Sequence, residues 1–124
     1  MKISQGELFQ IKEPLQRLTE RDDIAIKYAM PLVRMAKKLN DEINLIEGKK
    51  NKLVMKYGDK DEKTGQVSIN EASPNWEKFI KEFNELMEFE VELTINPVKI
   101  PSEVVIPNKD LILLEKFLEV EEEK

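Results

Sequence analysis

The sequence predicts an α+β domain, a long central helix plus amphipathic helices packed on a small antiparallel sheet, and three observations predict it. Apolar residues recur at helical spacing from Tyr28 to Tyr57, a second helical stripe follows Ser73-Pro74, and strict two-residue alternation then runs from Phe89 to Ile95. At 124 residues the chain has the size of one domain and can bury roughly two thirds of its unfolded surface. Residues 1–118 are expected to form that single domain, and residues 119–124 an acidic C-terminal tail.

In chain order, Leu8, Ile11, Leu15 and Leu18 keep helical spacing while Pro14 interrupts it, so residues 4–19 read as one broken helix or two short turns. Asp22 or Asp23 is placed to cap the long helix, whose stripe is Tyr28, Leu32, Met35, Leu39, Ile43, Ile46, Leu53 and Tyr57. Pro31 suits a first turn, so this helix is expected to start near Met30 or to kink there, and Gly58 to end it. Residues 58–73 are rich in turn formers and read as a loop or short hairpin around Thr64-Gly65.

Ser73 then reads as a cap with Pro74 at the first helical position, and Trp76, Phe79, Ile80, Phe83, Leu86 and Met87 share one third of a helical wheel. After it, Phe89, Val91, Leu93 and Ile95 alternate with Glu88, Glu90, Glu92 and Thr94, the pattern of a strand with one wet face. Pro97, Pro101 and Pro107 confine residues 98–106 to an edge strand or a draped segment, because proline cannot donate to a ladder. The antiparallel sheet is therefore expected within residues 89–106. Asn108 caps a last helix carrying Leu111, Leu114, Phe117 and Leu118. The expected core is Leu32, Leu39, Ile43, Trp76, Phe79, Phe83, Val91, Leu93, Leu114 and Phe117.

The chain contains neither cysteine nor histidine. Thiolate zinc sites, disulfides, cysteine nucleophiles and imidazole general bases are excluded by inspection. The segment Asp59-x-Asp61-x-Lys63-Thr64-Gly65 invites comparison with a calcium loop, but position 5 is Lys63, glycine falls at 7 and position 12 is Asn70. It reads as a solvated acidic turn. No glycine-rich phosphate loop and no G-x-S-x-G or H-E-x-x-H motif occurs. The expectation is a chain that is not an enzyme and uses no cofactor and no metal. No apolar run approaches the roughly 18 to 20 residues of a membrane helix, so no membrane partner is expected.

Charge is unevenly placed. Residues 1–58 carry 12 Lys/Arg against 8 Asp/Glu, or +4, and residues 59–124 carry 8 against 17, or −9, within a net charge of −5. On the long helix, Lys27, Arg34, Lys38, Lys49, Lys52 and Lys56 fall within about 60° of one another at 100° per residue, which makes one basic ridge. Three readings fit it: a solvated face, a surface for an acidic protein (including this chain's own C-terminal half), and a phosphate-contacting face. No aromatic residue interleaves the ridge and Asp41 and Glu42 flank it, which argues against nucleic acid. The apolar stripe of the same helix repeats as a partial heptad broken at Lys50, so Leu39, Ile43, Ile46, Leu53 and Tyr57 read either as core or as a seam for a homo-oligomer or protein partner. Glu88, Glu90 and Glu92 form an acidic face, most simply a wet one.

A proline-started basic helix is followed by Lys56-Tyr57-Gly58-Asp59 with Asp61, Glu62 and Gly65. Then come Phe79-x-Lys81-Glu82-Phe83-Asn84-Glu85-Leu86-Met87-x-x-Glu90-Val91 and a closing Asp110-Leu111 helix with Leu114-Glu115-x-Phe117. That order, spanning residues 30–118, resembles a family of small proteins of tailed bacteriophages and prophages with unassigned activity. The resemblance implies a phage setting, in the host cytoplasm or the virion, and assigns no functional residue. The function expected from these features together is that of a non-catalytic phage accessory or virion-assembly protein acting through protein–protein contacts. The alternatives are an acidic inhibitor that mimics nucleic acid against a host nucleic-acid enzyme or defence system, and a weak nucleic-acid binder using the basic helix face.

Overall fold

The structure is a computed structural model that describes residues 1–121. Its elements run β1 (Lys2–Ser4), α1 (Gln5–Gln10), α2 (Lys12–Thr19), α3 (Ile26–Tyr57), β2 (Asp59–Lys60), β3 (Val67–Ser68), α4 (Trp76–Glu88), β4 (Glu90–Glu92), β5 (Val98–Pro101), α5 (Asn108–Leu114) and β6 (Leu118–Glu121). The fold is α+β and dominated by helix. The expected break in the N-terminal helix falls at Ile11, not at Pro14. Pro14 has no N–H to give the Gln10 carbonyl, so α1 stops at Gln10 and α2 restarts with the proline in its first turn.

At 32 residues and 1.5 Å per residue, α3 is about 48 Å long. It starts earlier than expected, at Ile26, and carries Pro31 inside it. Neither aspartate caps it. The N-cap is Ala25, while Asp23 is held by Arg21 through two bonds of 2.9 and 2.6 Å. The guanidinium offers Asp23 two charge-assisted donors where a helix end offers amide groups, and the carboxyl consequently sits below its ordinary pKa. Gly58 follows as the C-cap. Its φ of −79° is one that any residue adopts, so glycine is needed here for close approach: a Cβ would run into the Val54 carbonyl, the Val67 side chain and the Ser68 carbonyl. Gly58→Ala should therefore cost about 1–3 kcal/mol in urea unfolding. Gly48→Ala, mid-helix with open space around it, should gain up to about 1 kcal/mol.

The β2–β3 hairpin turns where expected, with Gly65 at φ +73°. Asp61 shapes that turn by accepting the Lys63 N–H at 2.8 Å. Further on, α4 begins at Trp76, two residues later than Pro74 implies. Ser73 Oγ accepts the Asn75 N–H at 3.2 Å in the turn before the helix, and Asn75 occupies the cap position.

The sheet departs most from expectation. No sheet forms within residues 89–106 alone; among the described residues three separate two-stranded sheets form instead, β1–β4 antiparallel, β2–β3 antiparallel and β5–β6 parallel. β4 is three residues long, pairing Ile3 with Val91, and the rest of the alternating run through Ile95 is irregular. The acidic tail is also corrected. Residues 118–121 are β6, in register with Val98–Pro101, while residues 122–124 of the expected tail lie outside the described residues.

The core gathers Leu8 of α1, Ile11 at the break, and Leu15 and Leu18 of α2 against Leu32, Leu39, Ile43 and Ile46 of α3, closed by Ile100, Leu114 and Phe117. Of the expected core, Trp76, Phe83, Val91 and Leu93 are only half-buried. Trp76, Phe79 and Phe83 instead form an aromatic row along α4, with ring centroids 5.6 and 5.7 Å apart. One polar side chain is buried among the described residues: Asp110 is 3% exposed and takes two bonds from Arg17, at 2.7 and 3.1 Å, joining α2 to α5.

Candidate functional site

Tertiary packing divides the basic ridge of α3 in two. Lys27, Arg34 and Lys38, on its N-terminal half, line an open groove of about 640 Å³ whose opposite wall is residues 94–97 and the start of β5. The groove is within the usual size range of a binding cleft. Pro31 and Met35 of α3 and Ile95, Pro97 and Val98 of the facing wall give it an apolar floor. A fourth cation arrives from β5, where Val98 and Ile100 are buried and Lys99 between them points outward into the same groove. Sequence reasoning missed Lys99. The alternation of Val98, Lys99 and Ile100 would have placed it on the outer face of a strand, though not opposite this helix.

Among the described residues, one carboxylate lines the groove. Glu121 of β6 accepts the Tyr28 hydroxyl at 2.6 Å, and Lys27 Nζ stands 4.9 Å from the centre of the Tyr28 ring. The phenol's pKa is raised, first by donating to Glu121 and then by burial. Among the described residues, Lys27, Arg34, Lys38 and Lys99 make no ion pair within 4 Å. Among the described residues, four lining cations against one lining carboxylate in a concave, partly apolar setting focus a positive potential. Beside the groove, Ile26, Met30 and Val33 form an exposed apolar row on α3, 77%, 47% and 47% accessible.

The C-terminal half of the ridge meets acid instead of solvent alone. Lys49 and Lys52 line a second groove of about 430 Å³ opposite Glu82 and Glu85 of α4, and Lys56 lies 3.7 Å from Glu82. The pKa of Lys56 is raised by the neighbouring Tyr57 hydroxyl and by Glu82. The basic first half of the chain thus folds partly onto its own acidic second half.

The apolar seam needs correction. Leu39, Ile43 and Ile46 are 0–1% exposed and packed in the monomer core under α1 and α2, so they are not available to a partner. Leu53 and Tyr57 are half-buried; Leu53 lies against Leu86 and Phe89 in the second groove, and the Tyr57 carbonyl accepts the Asn75 amide at 3.3 Å. The heptad break at Lys50 has a role in this packing, since its ammonium lies 5.2 Å from the Phe9 ring centre.

The acidic face is also less regular than the alternation suggests. Glu88 is the last residue of α4, Glu90 and Glu92 are on β4, and Glu92 is bonded by the Met1 amino group at 2.9 Å. Phe89, expected inward, is 62% exposed because the helix ends on it before the strand begins. Among the described residues, no group of three or more carboxylates is arranged to hold a metal ion, and no helix is long and apolar enough to cross a membrane. No family model matches the chain, and comparison with curated proteins and with solved structures gives no match.

Proposed function

We infer that this chain is a non-catalytic protein that acts through protein–protein contacts, in the setting of a phage accessory or virion-assembly protein. The observation that carries the reading is the N-terminal half of α3, where a groove with four cations lies beside the exposed row Ile26, Met30 and Val33. Exposed apolar side chains contiguous with unneutralised charge are what a protein interface offers before its partner arrives. The heptad seam no longer supports the reading, since its first three residues are consumed in the core. The phage setting rests on the residue order of positions 30–118 alone.

Of the alternatives, the nucleic-acid mimic draws less support, because Glu88, Glu90 and Glu92 do not form one evenly spaced array. Direct nucleic-acid binding is favoured by the groove's cations and opposed by the chain's net charge of −5.

Affinity capture from phage-infected cells with the intact chain and with Met30→Glu/Val33→Glu tests the proposal, alongside light scattering over a concentration series. A partner, or self-association, that the double variant loses is the expected result. A strict monomer that captures nothing specific would overturn it.

A further inference from the structure

We propose that the groove between α3 and residues 94–99 receives an extended acidic segment of a partner protein, with Glu121, bonded to Tyr28, as a built-in negative charge that opposes it. The inference rests on the protein-contact reading above and specifies its chemistry. Along α3, Lys27 and Arg34 are separated by a rise of about 10 Å, and Arg34 and Lys38 by about 6 Å. In an extended chain, side chains on one face repeat about every 6.5–7 Å. An extended segment of about five residues covers the distance from Lys27 to Lys38.

The two walls differ in kind, and the difference selects the segment. Three of the four cations, Lys27, Arg34 and Lys38, lie on the α3 wall, whereas the facing wall carries the apolar patch Ile95, Pro97 and Val98 and the single cation Lys99. An extended chain sends alternate side chains to opposite sides, so a segment alternating acidic with apolar residues places carboxylates toward α3 and apolar groups toward residues 95–98. Glu121 shows how a carboxylate is received there, by a 2.6 Å bond from the Tyr28 hydroxyl at the end of the groove marked by Lys27. A long polyanion fits less well. Glu121, which lines the groove, and Glu119, paired in register with Lys99, are exposed carboxylates that repel a continuous phosphate backbone, while a short segment can lie between the walls.

The test uses the full chain and fluorescein-labelled octapeptides of alternating glutamate and leucine, with the glutamine-for-glutamate peptide and an oligothymidylate as comparison probes. Anisotropy titrations should show binding of the acidic peptide, weakened about tenfold or more by Arg34→Glu/Lys38→Glu and tightened about threefold by Glu121→Gln. Both variants alter exposed side chains, and circular dichroism checks that they fold. Equal binding of the glutamine peptide, preferential binding of the oligonucleotide, or indifference to the double variant would each overturn the proposal. No binding of the acidic peptide would overturn it too. A protein partner captured through Met30 and Val33 in those circumstances would leave the broader protein-contact reading standing.

Discussion

Leu39→Ala is expected to lower the free energy of unfolding by about 2–5 kcal/mol while leaving the state of association unchanged. Leu39 is fully buried in α3, in the same cluster as Leu8 and Leu15 of the two N-terminal helices and Ile11 between them. Truncation removes the transfer free energy of three carbons and leaves a cavity that helices packed from both sides cannot fully close. A domain of this size has about 5–15 kcal/mol in total, so the loss is a large fraction of its stability. Leu53→Ala, at a half-buried position beside the second groove, should cost less than about 1.5 kcal/mol. Urea unfolding with light scattering of the folded variants separates the two roles of the stripe. If Leu39→Ala kept its stability and changed the oligomeric state, the assignment of this residue to the core would be wrong.

Asp110→Asn should produce the second large effect, a fall in thermal midpoint together with a flatter acid limb of the stability profile. The carboxylate is 3% exposed and lies under a two-bond contact from Arg17. Asparagine preserves the volume but loses the charge, weakening a contact between α2 and α5 and leaving Arg17 without its buried counter-charge. Hydrogen bonds from Arg17, aided by its charge, hold the Asp110 pKa below the ordinary carboxylate value against the opposing effect of desolvation.

As pH falls, the unfolded chain therefore takes up this proton before the folded chain does. The stabilisation is fully present above the ordinary aspartate value and is lost as pH drops through the lowered folded one. Thermal melts between neutral and strongly acidic pH should show a smaller slope for Asp110→Asn than for the parent. Asp23→Asn should change that slope less, because its partner Arg21 is only two residues away and the pair spans no helix–helix contact. An unchanged acid slope in Asp110→Asn would show that the pair contributes nothing to acid stability.

What was legible in the sequence follows from the range of the interactions involved. The stripes of α3 and α4 are local patterns, and both helices formed, with ends displaced by a few residues: Ala25 stands at the cap of α3 in place of Asp22 or Asp23, and Asn75 at the cap of α4 in place of Ser73. Strand pairing is not local. Val91 found its partner in Ile3, across almost the whole chain, and Ile100 found its partner in Val120, inside a run whose glutamates masked the alternation of Leu118 and Val120. The ridge could be laid out from helical geometry, since its six members share one face of α3. Its division could not, because the neighbours that separate an open groove from an acid-lined one come from β5, β6 and α4. The seam was visible as periodicity, but periodicity does not say whether the covering surface is a second molecule or, as for Leu39 and Ile43, the chain's own first eighteen residues.

The pairing of β1 with β4 carries a consequence for biosynthesis. Lys2 leaves the ribosome ninety residues ahead of its partner Glu92. At roughly 5–20 residues per second, the nascent chain spends about 5–18 s with that edge unpaired. During that interval α1, α2 and α3 can already associate, because their contacts need nothing beyond Tyr57. The order of emergence thus favours assembly of a three-helix nucleus on which the later strands are clasped.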